Sequence, residues 1–290
     1  MHLTQQALSR QIKELEDELG LQLFERTTRR VALTPAGEEF YEQTKVVIAQ
    51  FDDAVALARR TTRALSGHLR LGFCAGAALE LTAPILAAFK ETSPEVELDM
   101  REFPANDPSA GLASGVVDVA FIRLPQATPR IETEELFVDP VVAAMADSHP
   151  LASRTSLTAS ELLDEHLTLS DTNDEDYKAF WSLADVRTAD TPLRTRPVTS
   201  VTEEAALVVA GAAVAVTSSA VEFYAPTPGT RYLLLDDWPG SRVVVAWHVG
   251  ERSPLVARFV DAACSVRDAQ TELVERMENR KPRNRDLSTF

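Results

Sequence analysis

Beyond Pro35 the chain runs without another proline through residue 65, and Phe40, Thr44, Val47, Phe51, Ala54 and Ala58 recur in alternating steps of four and three. A mean spacing of about 3.5 residues keeps one stripe of a helix facing a partner helix, which is the seam of a coiled coil. Thr34-Pro35 supplies an N-cap and then a proline at the first helical position, where its missing N–H is tolerated. At about 1.5 Å per residue, residues 34–63 make a rod of about 45 Å. A seam of that length needs an equally long partner, and a second copy of the chain would supply one. Packing against the chain's own core is the alternative.

The 290 residues leave room for about two domains. Hydrophobic residues are 45% and charged residues 25%, ordinary fractions that exclude wholesale disorder and fibrous structure. The longest apolar run, 205–216, is too short to span a bilayer. Gln5, Gln6, Arg10 and Gln11 interrupt any secretory pattern at the start. Cys74 and Cys264 fit no metal spacing and read as reduced thiols, so a cytoplasmic protein with no membrane partner is expected. The net charge of −15 argues against blanket nucleic-acid binding, but the charge is uneven. Residues 1–70 hold ten bases and ten acids, so the remainder carries the whole excess. Within the neutral part, Arg26-Thr27-Thr28-Arg29-Arg30 is a basic patch that can touch phosphate while the acidic remainder repels it.

Thr4 is a plausible N-cap for a first helix whose apolar residues fall at Leu8, Ile12, Leu15 and Leu19, before a stop at Gly20. One stripe for docking leaves Gln5, Gln6, Ser9, Arg10 and Lys13 on the opposite face. Gln and Arg side chains can bond base edges bidentately, whereas Ser and Lys suit phosphate. The segments 21–25 and 31–33 flank the basic patch and predict a β-hairpin wing. Taken without this context, a polar helix face is more often simply solvated.

These residues carry a resemblance. Thr4-Gln5-Gln6-Ala7-Leu8-Ser9-Arg10-Gln11-Ile12, Leu15-Glu16, Glu18-Leu19-Gly20, Leu23-Phe24-Glu25-Arg26 and Leu33-Thr34-Pro35-Ala36-Gly37 resemble the LysR-type transcriptional regulators, in register over about 35 residues. The resemblance implies that the first helix enters the major groove of promoter DNA as part of a winged helix-turn-helix. Its DNA contacts would be Gln5, Gln6, Ser9, Arg10, Lys13, Arg26, Arg29 and Arg30. It also implies that the long helix pairs subunits through the seam from Phe40 to Ala58, giving a homodimer or homotetramer. Members of that family normally carry roughly 30 residues before this point, so the expectation is a shortened chain whose Met1 is an internal methionine. Adding the upstream reading frame should then strengthen DNA binding.

After Ser66-Gly67, strand candidates at 69–73, 96–101, 117–122, 141–146, 167–170, 213–217 and 242–249 alternate with helical candidates at 77–92, 107–115, 158–165, 174–183, 202–211 and 254–268. Such alternation predicts α/β lobes with largely parallel sheets. The expected plan is a partial winged helix-turn-helix at 1–33, a linker helix at 34–65, effector lobe I at 67–135 plus 237–268, effector lobe II at 136–236, and a C-terminal tail at 269–290 that is disordered and basic from Glu278 to Phe290. Gly67-His68-Leu69-Arg70-Leu71-Gly72 and His149-Pro150-Leu151-Ala152 are phrases typical of the same family's effector domain, which is related in fold to periplasmic solute-binding proteins. Ligands in open α/β sheets sit beyond the carboxyl ends of strands. That rule singles out Cys74, Ala75, Gly76, Phe103, Arg123, Thr199, Ser200 and Thr217. Arg123 can pair with a carboxylate effector or make a salt bridge between lobes. Ser200-Val201-Thr202-Glu203 fits a capping box, leaving Thr199 the better contact.

No catalytic serine elbow, zinc motif, phosphate-cradling glycine loop or Cys-x-x-Cys is present, so no enzyme, cofactor or metal is expected. The combined expectation is a transcriptional regulator switched by a small molecule between two lobes, with RNA polymerase a candidate partner. The rival is a truncated sensor that binds ligand without binding DNA alone.

Overall fold

A computed structural model describes residues 4–26, 31–65, 67–76 and 78–284. They fall into two compact units, 1–57 and 58–290. The first unit begins with α1 (Gln5–Leu19), followed by the antiparallel pair β1 (Phe24–Arg26) and β2 (Val31–Leu33) and by α2 (Pro35–Leu65), within which the unit boundary falls. The expected recognition helix, wing and long helix are therefore all present as elements. Thr34 Oγ1 accepts from Gly37 N at 2.9 Å and caps α2 as its sequence predicts.

The second unit continues with β3 (His68–Phe73), α3 (Thr82–Thr92), β4 (Glu97–Glu102), β5 (Val119–Leu124), β6 (Ile131–Asp139), β7 (Val141–Ala146), β8 (Ser156–Leu157), β9 (His166–Ser170), α4 (Glu175–Trp181), β10 (Arg194–Val198), α5 (Val201–Val209), β11 (Ala215–Ser218), α6 (Val221–Tyr224), β12 (Thr230–Leu235), β13 (Ser241–His248), α7 (Pro254–Ala269) and α8 (Thr271–Glu278). Lobe I is a five-stranded sheet in the order β4-β3-β5-β13-β6. Phe89 of α3 and Phe121 of β5 pack on Phe259 of α7, with ring centroids 5.2 and 5.8 Å apart. Lobe II holds the sheet β11-β7-β12-β8 and the pair β10-β9. Its core gathers Phe180, Trp181 and Trp238.

Neither large sheet is largely parallel. In lobe I, β3 pairs parallel with β4 and β5, but β13 runs antiparallel to both β5 and β6. In lobe II, β7 pairs antiparallel with β11 and β12. The returning strand β13 must join lobe I after the chain has visited lobe II, and it enters from the end where β6 leaves. Because β6 continues to Asp139, the crossing falls at Pro140, slightly later than the residue-136 boundary expected.

Three further expectations are corrected. Residues 107–115 form turns rather than a helix. Asp107 accepts from Ser109 Oγ and Gly111 N, while Ala110, Gly111 and Gly115 adopt positive φ, which a right-handed helix cannot accommodate. Over 158–165 only the short 3₁₀ turn Ala159–Leu162 forms. The tail expected to be disordered from Glu278 is ordered as far as Asn284. Helix α8 buries Met277 to 1% exposure, Glu278 accepts from Val138 N at 2.9 Å, Arg280 pairs with Glu80, and Asn284 bonds both backbone groups of Tyr232. Arg280 gains a specific partner there, which composition alone cannot reveal. Among the described residues, no helix is long and apolar enough to cross a membrane.

Candidate nucleic-acid interface and ligand cavity

Helix α1 starts where Thr4 Oγ1 accepts from Ala7 N at 3.3 Å, and ends at Gly20 with φ +66°. Gln5, Gln6, Arg10 and Lys13 are exposed and Ser9 is half-buried, so the polar face is turned outward. Arg10 Nε donates to Glu14 Oε1 at 2.7 Å. Such an exposed pair is worth only about 0.3–0.5 kcal/mol, so the guanidinium can be released to another acceptor at little cost. The apolar stripe is not covered as the sequence leads one to expect: Leu8, Leu15 and Leu19 are exposed and Ile12 is half-buried.

What ties α1 to the wing is Glu16, to which the sequence assigns no role. Its Oε1 accepts from Leu23 N at 2.7 Å and Phe24 N at 3.0 Å. Two backbone donors on one carboxylate oxygen are charge-assisted hydrogen bonds, about twice as strong as neutral ones. Leu23 is buried against the start of α2, where a Cβ on Gly37 would lie 2.1 Å from the Leu23 carbonyl oxygen. Arg26 ends β1, its side chain lying outside the described residues, as do Arg29 and Arg30.

Along α2, Phe40 and Thr44 are half-buried, whereas Val47, Phe51, Ala54 and Ala58 are exposed. Phe51 is 68% exposed, and Tyr41, Val46, Ile48 and Leu57 are also exposed. Tyr41, Val47, Ile48 and Phe51 fall on one side of the helix, whereas Val46 and Leu57 fall on the other.

The second site is a cavity of about 480 Å³ in the second unit, lined by both lobes. That volume is in the usual range for a small-molecule site. All eight residues expected at the effector site, namely Cys74, Ala75, Gly76, Phe103, Arg123, Thr199, Ser200 and Thr217, line it. The strand-end rule brings them together because β3, β4, β5 and β11 all end at this cleft. Gly76 takes φ +87°, and a Cβ there would meet the Tyr224 ring at 3.0 Å, so glycine is required by both backbone and space.

Of the two roles expected for Arg123, the structure shows the salt bridge. Arg123 Nη1 bonds Asp139 Oδ2 at 2.8 Å and its Nη2 reaches Ser218 Oγ at 3.3 Å. Ser218 and Ser219 also donate to Asp139. Burial lowers the pKa of Arg123, but the Asp139 charge and hydrogen bond, with Tyr224 and Tyr177, together outweigh it and the net shift is upward. The guanidinium is thus a structural cation paired at the crossing between lobes, not a free partner for a carboxylate. Thr199 is also engaged: its N and Oγ1 donate to Glu203 Oε2 at 2.8 and 3.1 Å. Ser200 Oγ accepts from Glu203 N, so the cap at α5 forms with the glutamate turned one residue further back than a capping box requires.

Sequence reasoning missed Thr168, Tyr177, Trp181, Glu204 and Tyr224, all of which line the cavity. Glu204 Oε2 accepts from Thr168 Oγ1 at 3.0 Å, and burial pushes its carboxyl up to about 7 despite that bond. The available signal was its place on the apolar face of α5 with Val201, Ala205 and Val208, since a helix rarely buries a lone acid without a use. Burial pushes the Cys74 thiol up to about 12 and the Tyr224 hydroxyl to about 12, and raises Tyr177 as well. A thiol held protonated is a poor nucleophile.

Known proteins resemble the chain in both regions. Residues 1–38 match the bacterial regulatory helix-turn-helix protein model of the lysR family, and residues 62–266 match the LysR substrate binding domain. The transcriptional regulator AlsR of Bacillus subtilis (strain 168) is 34% identical over 165 residues, 57% of this chain and 55% of that protein. The dual regulator OxyR of Escherichia coli (strain K12) is 31% identical over 166 residues, 57% of this chain and 54% of that protein. The alignments thus span about half the length of these relatives. Among solved structures, an H2O2-bound cysteine-to-serine mutant of OxyR from Corynebacterium glutamicum is 27% identical with a TM-score of 0.56, covering 94% of this chain and 86% of that one. Full-length CbnR complexed with its target DNA shares the fold at 22% identity, with a TM-score of 0.51 and coverage of 92% and 91%. With family models matching its helix-turn-helix segment and most of its remaining length, the chain belongs to the LysR family of bacterial helix-turn-helix regulatory proteins.

Proposed function

We propose that this protein is a sequence-specific, promoter-binding transcriptional regulator whose activity is switched by a small molecule held between two α/β lobes. The observation that carries the reading is the outward polar face of α1, with Gln5, Gln6, Arg10 and Lys13 exposed on a helix tied to a wing through Glu16. A helix of this chemistry fits the major groove, where Gln and Arg can read base edges and Lys13 can hold phosphate. The apolar face of α2 supports pairing with a second copy, so that two such helices address two half-sites. The effector would change the geometry of the oligomer by binding one arrangement better than the other. RNA polymerase and a cytoplasmic location fit this role. Enzyme catalysis has no constellation to support it.

Peroxide sensing, which the names of several relatives include, gains no support from the thiols. Cys74 is held protonated by burial, and burial also raises Cys264.

The test is selection of genomic DNA fragments by the purified chain. A discrete, near-palindromic site should be enriched. Arg10→Ala should then cost about 1–3 kcal/mol and relax preference at one base position. No enriched site would leave the ligand-sensing rival as the better reading.

A further inference from the structure

Taking the cleft as the effector site, we propose that its ligand is an organic amine, bound as an ammonium against Glu204 within aromatic walls, rather than a carboxylate. The charged side chains lining the cavity are Glu102, Arg123 and Glu204. Arg123 is engaged by Asp139 and Ser218, and Asp139 is itself 1% exposed, so the one cation is balanced from behind. What remains facing a ligand is acidic. Glu204 uses Oε2 for Thr168, leaving Oε1 as the oxygen for a ligand.

The positive end of α5, where an anion would ordinarily sit, already carries two acids in its first turn, Glu203 and Glu204. Glu203 N is bonded to Ser200. A carboxylate ligand in the cavity would face Glu204 beside this helix start.

The walls supply the second half of an ammonium site. Phe73, Phe103, Tyr177, Trp181 and Tyr224 line the same cavity, with the Tyr177 and Trp181 rings 5.9 Å apart. Aromatic faces attract cations through the ring quadrupole, most strongly where water is excluded. An amine also resolves a cost internal to the cavity. Its charge would favour the ionised form of Glu204, which burial otherwise opposes.

The inference rests on the regulator reading only for the location of the ligand, and direct binding separates the two. Calorimetry on the full chain would compare matched series built on the same aliphatic and phenylalkyl skeletons, for example phenylpropylamine, phenylpropanol and phenylpropionate. An amine should bind at least about tenfold more tightly than the carboxylate of its own skeleton, the difference expected of one charge-assisted contact. Glu204→Gln should abolish that preference. Carboxylates binding as well as or better than amines would overturn the proposal, as would failure of every amine in the series. The wild-type comparison decides the matter even if the variant does not fold. Amine binding without any effect on DNA affinity would instead sink the regulator reading and leave the amine site standing.

Discussion

The carboxyl of Glu204 can be read from stability alone, without any ligand. Burial raises it from 4.5 to about 7, opposed only by the Thr168 hydrogen bond. The tyrosines near it, Tyr177, Tyr224 and Tyr232, are all shifted upward and stay neutral through this window. Between pH 4.5 and about 7 the folded protein therefore holds a proton that the unfolded chain has lost. Stability must fall as pH rises through that interval, and the loss is complete above about pH 7. The full shift corresponds to at most about 3 kcal/mol, less whatever the open side of the cavity returns through solvent. Glu204→Gln keeps an acceptor for Thr168 and removes the titration. It should match wild type near about pH 4.5 and exceed it by up to about 3 kcal/mol at about pH 8, roughly two to four degrees in Tm per kcal/mol. Denaturant unfolding followed through the second unit across that pH range measures this. Parallel pH curves for the two proteins would refute the assignment of Glu204 as a buried, proton-holding group.

Phe51→Asp places a charge on the exposed seam of α2 and should convert the oligomer to monomer in sedimentation velocity, with DNA affinity falling in step. An unchanged oligomer would assign pairing to another surface. Gly37→Ala forces a methyl toward the Leu23 carbonyl, 2.1 Å from the ideal Cβ position; it should destabilise the first unit by about 1–3 kcal/mol in thermal unfolding while leaving ligand binding intact. Met277→Ala removes a fully buried side chain of α8 and should cost about 2–5 kcal/mol in denaturant titration, whereas a disordered tail would register nothing.

Local periodicity was enough to define the N-terminal helices. The four-three stripe of Leu8, Ile12, Leu15 and Leu19, the Thr4 and Thr34 caps and the proline-free seam are all patterns within one helix, and a helix writes its faces into its own spacing. The strand-end rule likewise named eight residues that share one cavity, because β-strands followed by turns can be recognised from neighbouring residues. Sheet direction, the path of α8 and the polarity of the cleft required the tertiary structure. Whether β13 runs with or against β5 depends on where the chain re-enters lobe I, after its whole excursion through lobe II. Arg123 stood between an anion partner and a salt bridge until folding set it against Asp139, sixteen residues away in sequence. Glu204 drew no reading from the sequence, and only folding brings it against Thr168 of β9. Charge is a property of composition, but what a charge faces is decided by packing between distant segments, and only folding brings those together.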